Sequence, residues 1–158
     1  RRRRRGIPGR RQVTIPLIAF GCAMALLKTE ASLADPVSVY VRRKGFPLQL
    51  RELQFYDLRV DLYAFSPVKS LTVAVEFNLY KWRRAVAQAS LYQLCSDWVF
   101  IAVPVSTVPR LDIDLLREYG IGLIAVSDST HCRQILAPLQ SSVVRADYRR
   151  TYINLLRR

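Results

Sequence analysis

The pattern of apolar and polar positions changes period several times along this chain, and each change marks a predicted element. Apolar residues recur at helical spacing between Asp35-Pro36, a pair typical of a helix start, and Gly45, which is typical of a helix end. Strand-like stretches follow, rich in β-branched and aromatic residues. They comprise Gln49–Phe55, Arg59–Phe65 and Leu71–Phe77. Turn-forming residues at 66–70 predict that the last two strands form a hairpin.

Beyond Lys81 the pattern becomes helical again, and a helix is predicted from there to about Ser96. Two uncharged, β-rich segments, Trp98–Val103 and Ile121–Val126, predict strands that are covered on both faces. An amphipathic helix at Leu111–Tyr119 separates them, so the three elements form a crossover unit. The chain is therefore predicted to be a single α/β domain with a mixed central sheet flanked by helices, in the order αβββαβαβ.

Basic residues concentrate at the two ends of the chain, which has a formal net charge of +13. Residues 1–12 contain seven arginines and no acid, and residues 145–158 carry a net +4, which leaves only +2 between them. Tyr148 and Tyr152, among the C-terminal arginines, fit either base stacking or a helix packed on the domain. We predict an N-terminal segment outside the fold, an α/β domain and a basic C-terminal tail. Their ranges are 1–28, 29–140 and 141–158.

The N-terminal segment has three interpretations that the sequence leaves open. Its apolar stretch, Ile15–Leu27, has 13 residues. A helix of that length spans about 20 Å, short of the roughly 30 Å of a membrane's hydrocarbon core, so no membrane span is expected. The segment is either sequence upstream of a start at Met24, a tethering arm, or a secretory signal.

The three cysteines are too few and too far apart for a disulfide framework or a cysteine-rich zinc site. Cys22, Cys95 and Cys132 form no CxxC pair. We therefore expect reduced thiols, and a cytoplasmic location fits them best.

Two acids fall opposite each other in the predicted hairpin. If the turn lies at 67–70, Asp61 faces Glu76, and directly opposed side chains lie about 5 Å apart. Two carboxylates that close repel each other unless a cation lies between them, and oxygen ligands suit Mg²⁺ or Mn²⁺. Asn78 points to the same face as Glu76. The alternative is that both acids are solvated residues on an open sheet face.

The residues around these acids read VDLYAFSP and, after the turn, LTVAVEFNLYKWRRAVAQASLYQLCSDWVFIAVP. This sequence resembles the PD-(D/E)XK, or restriction-endonuclease-like, nuclease superfamily over about residues 29–126. Asp61 and Glu76 match the two acids of the family motif. Gln88 and Tyr92 match the Gln-x-x-x-Tyr pattern of its RecB-like branch. The resemblance implies one restriction-endonuclease-like domain with an αβββαβ core.

The resemblance also implies metal-dependent phosphodiester hydrolysis on DNA, with Mg²⁺ or Mn²⁺ as cofactor. The expected ligands are Asp61 and Glu76, joined by Glu30 and the carbonyl of Phe77. Glu30 aligns with an acid on the family's first helix. The alternative is that the helix begins later, at Pro36, so that Glu30 lies before it and misses the site. Nucleases of this fold often pair to cut both strands, so a homodimer is compatible with the resemblance.

One departure from the family motif affects catalysis directly. The position of the family's catalytic lysine is occupied by Asn78, whose neutral amide cannot supply that positive charge. Lys81, three residues further on, is a candidate replacement. Asp61, Glu76, Asn78 and Lys81 are therefore the expected catalytic residues.

Nucleic-acid contacts are expected from the helix that follows the third strand. Arg83, Arg84 and Gln88 would contact phosphates, with Tyr92 on the same helical face as Gln88. The alternative for the two arginines is an ordinary solvated helix surface. Two functions stay open at this point: an active nuclease, or a nuclease-fold module that has lost catalysis and binds DNA or a protein.

Overall fold

In the part of the chain that the structure describes, six strands form one mixed sheet whose spatial order follows the order of the chain. The computed structural model describes residues 29–127 and 131–158, so the predicted N-terminal segment lies outside the described residues. The strands are β1 (Leu48–Phe55), β2 (Leu58–Ser66), β3 (Leu71–Phe77), β4 (Trp98–Pro104), β5 (Gly122–Val126) and β6 (Cys132–Leu136). The first three pair antiparallel, β3, β4 and β5 are parallel, and β6 returns antiparallel. This confirms the predicted α/β class with a mixed sheet.

Helices cover both faces of the sheet. The helices are α1 (Ala31–Arg43), α2 (Trp82–Tyr92), α3 (Ile113–Glu118) and α4 (Ala146–Leu156). Helix α1 packs in one apolar core, while α2, α3 and α4 pack in the other. Among the residues that the structure describes, no helix combines the length and the apolar composition needed to cross a membrane.

The β2–β3 hairpin has the predicted register. Ser66 pairs with Leu71, and the ladder continues to Leu62 and Val75. One step further along the same register brings Asp61 level with Glu76, on the face of the sheet that α2 covers.

The first helix differs from its prediction because it begins at Ala31 and not at Asp35. Pro36 lies inside the helix and is buried. A proline in the second turn removes one backbone hydrogen bond, a cost that burial of its ring offsets in part. Asp35 is therefore an exposed helical residue, and it pairs with Arg51 at 2.6 Å. The helix starts immediately after Glu30.

The C-terminal segment is not the separate tail that its charge predicted. Within it, α4 packs on β1 and β2 and buries Ile153, which is 8% exposed. The rings of Tyr148 and Tyr152 make edge contacts with Phe55 at 5.7 and 6.1 Å between centroids. Of the two interpretations left open for these tyrosines, the structure therefore selects packing on the domain. Strand β6 was not predicted, and α2 ends at Tyr92, before the predicted Ser96.

Candidate active site

A cavity of about 680 Å³ opens where β3 ends and α2 begins. Seven of the nine residues singled out from the sequence as catalytic, metal-binding or nucleic-acid-binding line it. These are Glu30, Asp61, Glu76, Asn78, Lys81, Arg84 and Gln88. The wall also contains Arg59 and Tyr80, which the sequence analysis did not select. The hairpin, the start of α1 and the first turns of α2 thus supply one site.

Both carboxyl groups of the hairpin are held in conditions that disfavour their charge. Burial, opposed by a hydrogen bond from the Phe77 N–H at 2.6 Å and reinforced by the charge of Glu30, raises the pKa of Asp61 to about 6. Burial and the nearby charge of Asp61 raise the pKa of Glu76 to about 8. A site that penalises two adjacent negative charges in this way favours a cation between them.

Tyr92 supports Glu76 from inside the protein. Its side chain has no exposed surface, and its hydroxyl lies 2.9 Å from Glu76 Oε2 and 3.0 Å from the carbonyl oxygen of Arg59. On sequence grounds Tyr92 could reach either the acidic site or the DNA backbone; the structure places its hydroxyl against Glu76 and leaves its side chain no exposed surface. Of the matched Gln-x-x-x-Tyr pair, only Gln88 reaches the cavity.

Asn78 presents a buried oxygen without a partner. The residue is 5% exposed, and its backbone N–H donates to the Ala102 carbonyl at 3.0 Å, which fixes its position. Its Oδ1 makes no hydrogen bond to any residue that the structure describes. Leaving a buried acceptor unsatisfied costs about 1–3 kcal/mol, so an atom at this position calls for a ligand or a water.

The residues present fit a divalent cation bound through oxygen. Asp61, Glu76 and the Asn78 amide oxygen offer two carboxylates and one neutral oxygen, which suit Mg²⁺ or Mn²⁺. Within residues 29–127 and 131–158, no three His, Cys, Asp or Glu side chains converge as a metal site of their own. Glu30 thus lines the cavity without closing a triad of carboxylates.

Positive charge lines the cavity on the α2 side. Lys81 and Arg84 are exposed there, and the charge of Arg84 is close enough to lower the pKa of Glu76 against the larger effects that raise it. Arg83 points elsewhere: it stacks over Trp82 at 4.8 Å and lines a different cavity, beside α3. The structure therefore brings Arg84, but not Arg83, to the candidate site.

The sheet is distorted beside Asp61. In the β1–β2 register Glu52 stands opposite Asp61, and this pair is missing from the ladder. Glu52 has φ of +54°, in the left-handed region that residues other than glycine seldom adopt. Interruptions of this kind are common in strands next to functional sites, where they direct a side chain away from regular pairing.

Comparisons with known proteins bear on the fold. No family model matches the chain, and no curated protein does. The fold recurs in a solved protein of unknown function. SPO1766 from Silicibacter pomeroyi is 25% identical, with a TM-score of 0.59 over 77% of this chain and 79% of that one. SfsA from Pyrococcus furiosus, solved in complex with Ca²⁺, is 10% identical, with a TM-score of 0.38 over 69% and 60%. A likeness as distant as the second carries no information about the function of this chain.

Proposed function

We propose that this chain is a divalent-metal-dependent nuclease-like domain that acts on DNA. The observation that carries the proposal is one cavity that holds Asp61 and Glu76, both with raised pKa values, beside the unpartnered oxygen of Asn78. Lys81 and Arg84 add positive charge to the same cavity, as binding of a phosphodiester requires.

Each side chain has a role that follows from its position. Asp61, Glu76 and Asn78 would hold the cation, which lowers the pKa of a bound water and neutralises charge that develops on the phosphate. The Phe77 N–H fixes the Asp61 carboxylate, and the Tyr92 hydroxyl fixes Glu76. Both carboxylates are therefore oriented before any ligand arrives.

In this proposal Lys81 replaces the catalytic lysine of the family motif, whose position Asn78 occupies. It is exposed at the N-cap of α2, immediately before the helix, and lines the cavity together with Asn78. Its flexible ammonium group would orient the attacking water or bind a phosphate oxygen. Arg84 and Gln88 follow on the same side of the helix and would contact neighbouring phosphates.

The proposal is tested by incubating supercoiled and single-stranded DNA with the protein and Mg²⁺ or Mn²⁺. We expect metal-dependent cleavage by the wild type, a loss of at least a hundredfold in Glu76→Gln, and a similar loss in Lys81→Ala. Glu118→Gln, an exposed acid on α3 outside the cavity, is the matched control and should cleave like the wild type. Cleavage that survives Glu76→Gln or needs no metal contradicts the proposal.

A second function, a catalytically inactive nuclease-fold module, is favoured by one specific observation: a neutral Asn78 at the lysine position. Asn78→Lys separates the two functions. Cleavage that appears only in this variant identifies an intact metal site that lacks its lysine. Absence of cleavage in both proteins, with salt-sensitive DNA binding retained, identifies a binding module.

A further inference from the structure

A solvent-exposed tyrosine lies at the edge of the candidate active site. Tyr80 is 72% exposed, yet it lines the same cavity as Glu76, Asn78 and Lys81. An isolated exposed aromatic ring is not unusual on a protein surface. Tyr80, however, lies between Asn78 and Lys81, which both belong to the proposed site, and this position suggests a role in binding.

The backbone on the β3 side of Tyr80 is held firmly. The Asn78 N–H donates to the Ala102 carbonyl at 3.0 Å, and the Leu79 carbonyl accepts from Thr107 Oγ1 at 3.1 Å. Leu79 itself is 7% exposed, and α2 begins at Trp82. Tyr80 therefore lies in a short segment whose backbone is fixed on both sides. This limits the conformational entropy that is lost when its ring binds a ligand.

A second exposed tyrosine near the cavity shows the contrast. Tyr56 is 65% exposed, but its ring lies against Phe55 at 4.9 Å and Tyr148 at 5.7 Å between centroids. Tyr80 makes no ring contact and no side-chain hydrogen bond within the part of the chain that the structure describes. The faces of the Tyr80 ring are thus free to stack.

We propose that Tyr80 is a stacking platform for an unpaired base and that the substrate class is single-stranded nucleic acid. This inference rests on the proposed function of the same cavity. Lys81 and Arg84 would bind the phosphates while the adjacent base stacks on the ring of Tyr80. Bases inside a duplex already have both faces covered by their neighbours, so a protruding ring stacks more readily on an unpaired base.

Equilibrium binding of a 12-nucleotide single strand and of its duplex, in Ca²⁺ so that turnover is suppressed, tests the inference. The strand carries 2-aminopurine, whose fluorescence is quenched by stacking. We expect Tyr80→Ala to weaken single-strand binding about tenfold or more and to abolish the quenching. Duplex binding should stay unchanged, and Tyr80→Trp should keep both single-strand affinity and quenching. Tyr119→Ala, another exposed tyrosine that lies outside the cavity, is the matched control and should bind like the wild type.

The salt dependence separates stacking from charge. Tyr80→Ala should leave the slope of log K against log salt unchanged, whereas Lys81→Ala should reduce it by about 0.7 for a single strand. If Tyr80→Ala weakens binding of the single strand and of the duplex equally, or binds both like Tyr119→Ala, the stacking role is overturned. Metal-dependent cleavage by the wild type would still support the proposed function. If the wild type neither binds nor cuts either DNA, both proposals fail together.

Discussion

Asn78 and Tyr92 show how single polar residues define this site. Asn78 brings an acceptor into the protein and gives it no partner among the described residues. Tyr92 has one hydroxyl proton and two acceptors, Glu76 Oε2 and the Arg59 carbonyl oxygen. Buried polar groups are normally satisfied, so the unpartnered oxygen of Asn78 indicates a site that is completed by something else.

Tyr92→Phe tests this arrangement at a single atom. The hydroxyl of Tyr92 lowers the pKa of Glu76 against the effects that raise it, so removing it should raise that pKa further. We expect weaker Mn²⁺ binding at pH 7, a midpoint of binding displaced to higher pH, and a stability loss of about 1 kcal/mol. Isothermal calorimetry at several pH values, with chemical denaturation, measures all three.

The control for this variant is Tyr63→Phe. Tyr63 is also fully buried, and its hydroxyl donates to the Cys95 carbonyl at 2.6 Å, away from the cavity. It should lose similar stability and keep normal Mn²⁺ binding. Equal loss of Mn²⁺ affinity in both variants would mean that Tyr92 acts only through the general stability of the core.

Besides its apolar contacts, helix α4 is tied to the sheet by a charge pair between Arg149 and the buried carboxylate of Asp97. Arg149 Nε lies 2.9 Å from Asp97 Oδ2, and the same oxygen accepts from the backbone N–H and hydroxyl of Thr72, both at 2.8 Å. The Asp97 side chain is 7% exposed. Since α4 covers Phe55 and Tyr63, this pair helps to keep the aromatic core out of water.

Arg149→Ala should therefore destabilise the protein by about 2–4 kcal/mol, because it leaves a buried carboxylate with only part of its partners. Arg150→Ala is the matched control: the residue is an exposed neighbour on the same helix, and its loss should change stability by less than about 0.5 kcal/mol. Urea denaturation measures both. Equal stabilities would show that α4 is held by its apolar side chains alone.

At the scale of the whole molecule, the cavity makes stability depend on pH. Asp61 and Glu76 have raised pKa values, so the folded protein holds their protons more tightly than the unfolded chain does. Their stabilising contribution is complete below the ordinary carboxyl range near pH 4 and is lost as the pH rises through about 6 and then about 8. The folded state is thus weakened under the conditions in which a cation binds best.

The unfolding temperature in a chelator should therefore fall between pH 5 and pH 8.5, and millimolar Mg²⁺ or Mn²⁺ should restore it at pH 8.5 but not at pH 5. Glu76→Gln should flatten the pH dependence and remove most of the effect of the metal. Differential scanning calorimetry is the measurement. A metal effect that is equal at both pH values would place the cation elsewhere.

Five of the six strands that the structure describes, and the register of the hairpin, could be predicted because their signals are local. Alternation with period two and a short turn fixed the β2–β3 pairing, and with it the opposition of Asp61 and Glu76. Helix boundaries were predicted less well, because Pro36 suggested a start that the packing of α1 on the sheet overrides. For α4 the sequence left two interpretations of Tyr148 and Tyr152 open, and the structure shows that both tyrosines pack against the core.

The α/β class, the hairpin and the identity of the paired acids could be inferred from sequence, since each depends on residues close together in the chain. Three features emerged only on folding: Tyr92 is buried against Glu76, Arg84 rather than Arg83 faces the cavity, and α4 belongs to the fold. These outcomes depend on contacts between distant segments, such as Arg149 with Asp97 across 52 residues. No local pattern encodes such contacts, because burial is set by all the elements that pack together.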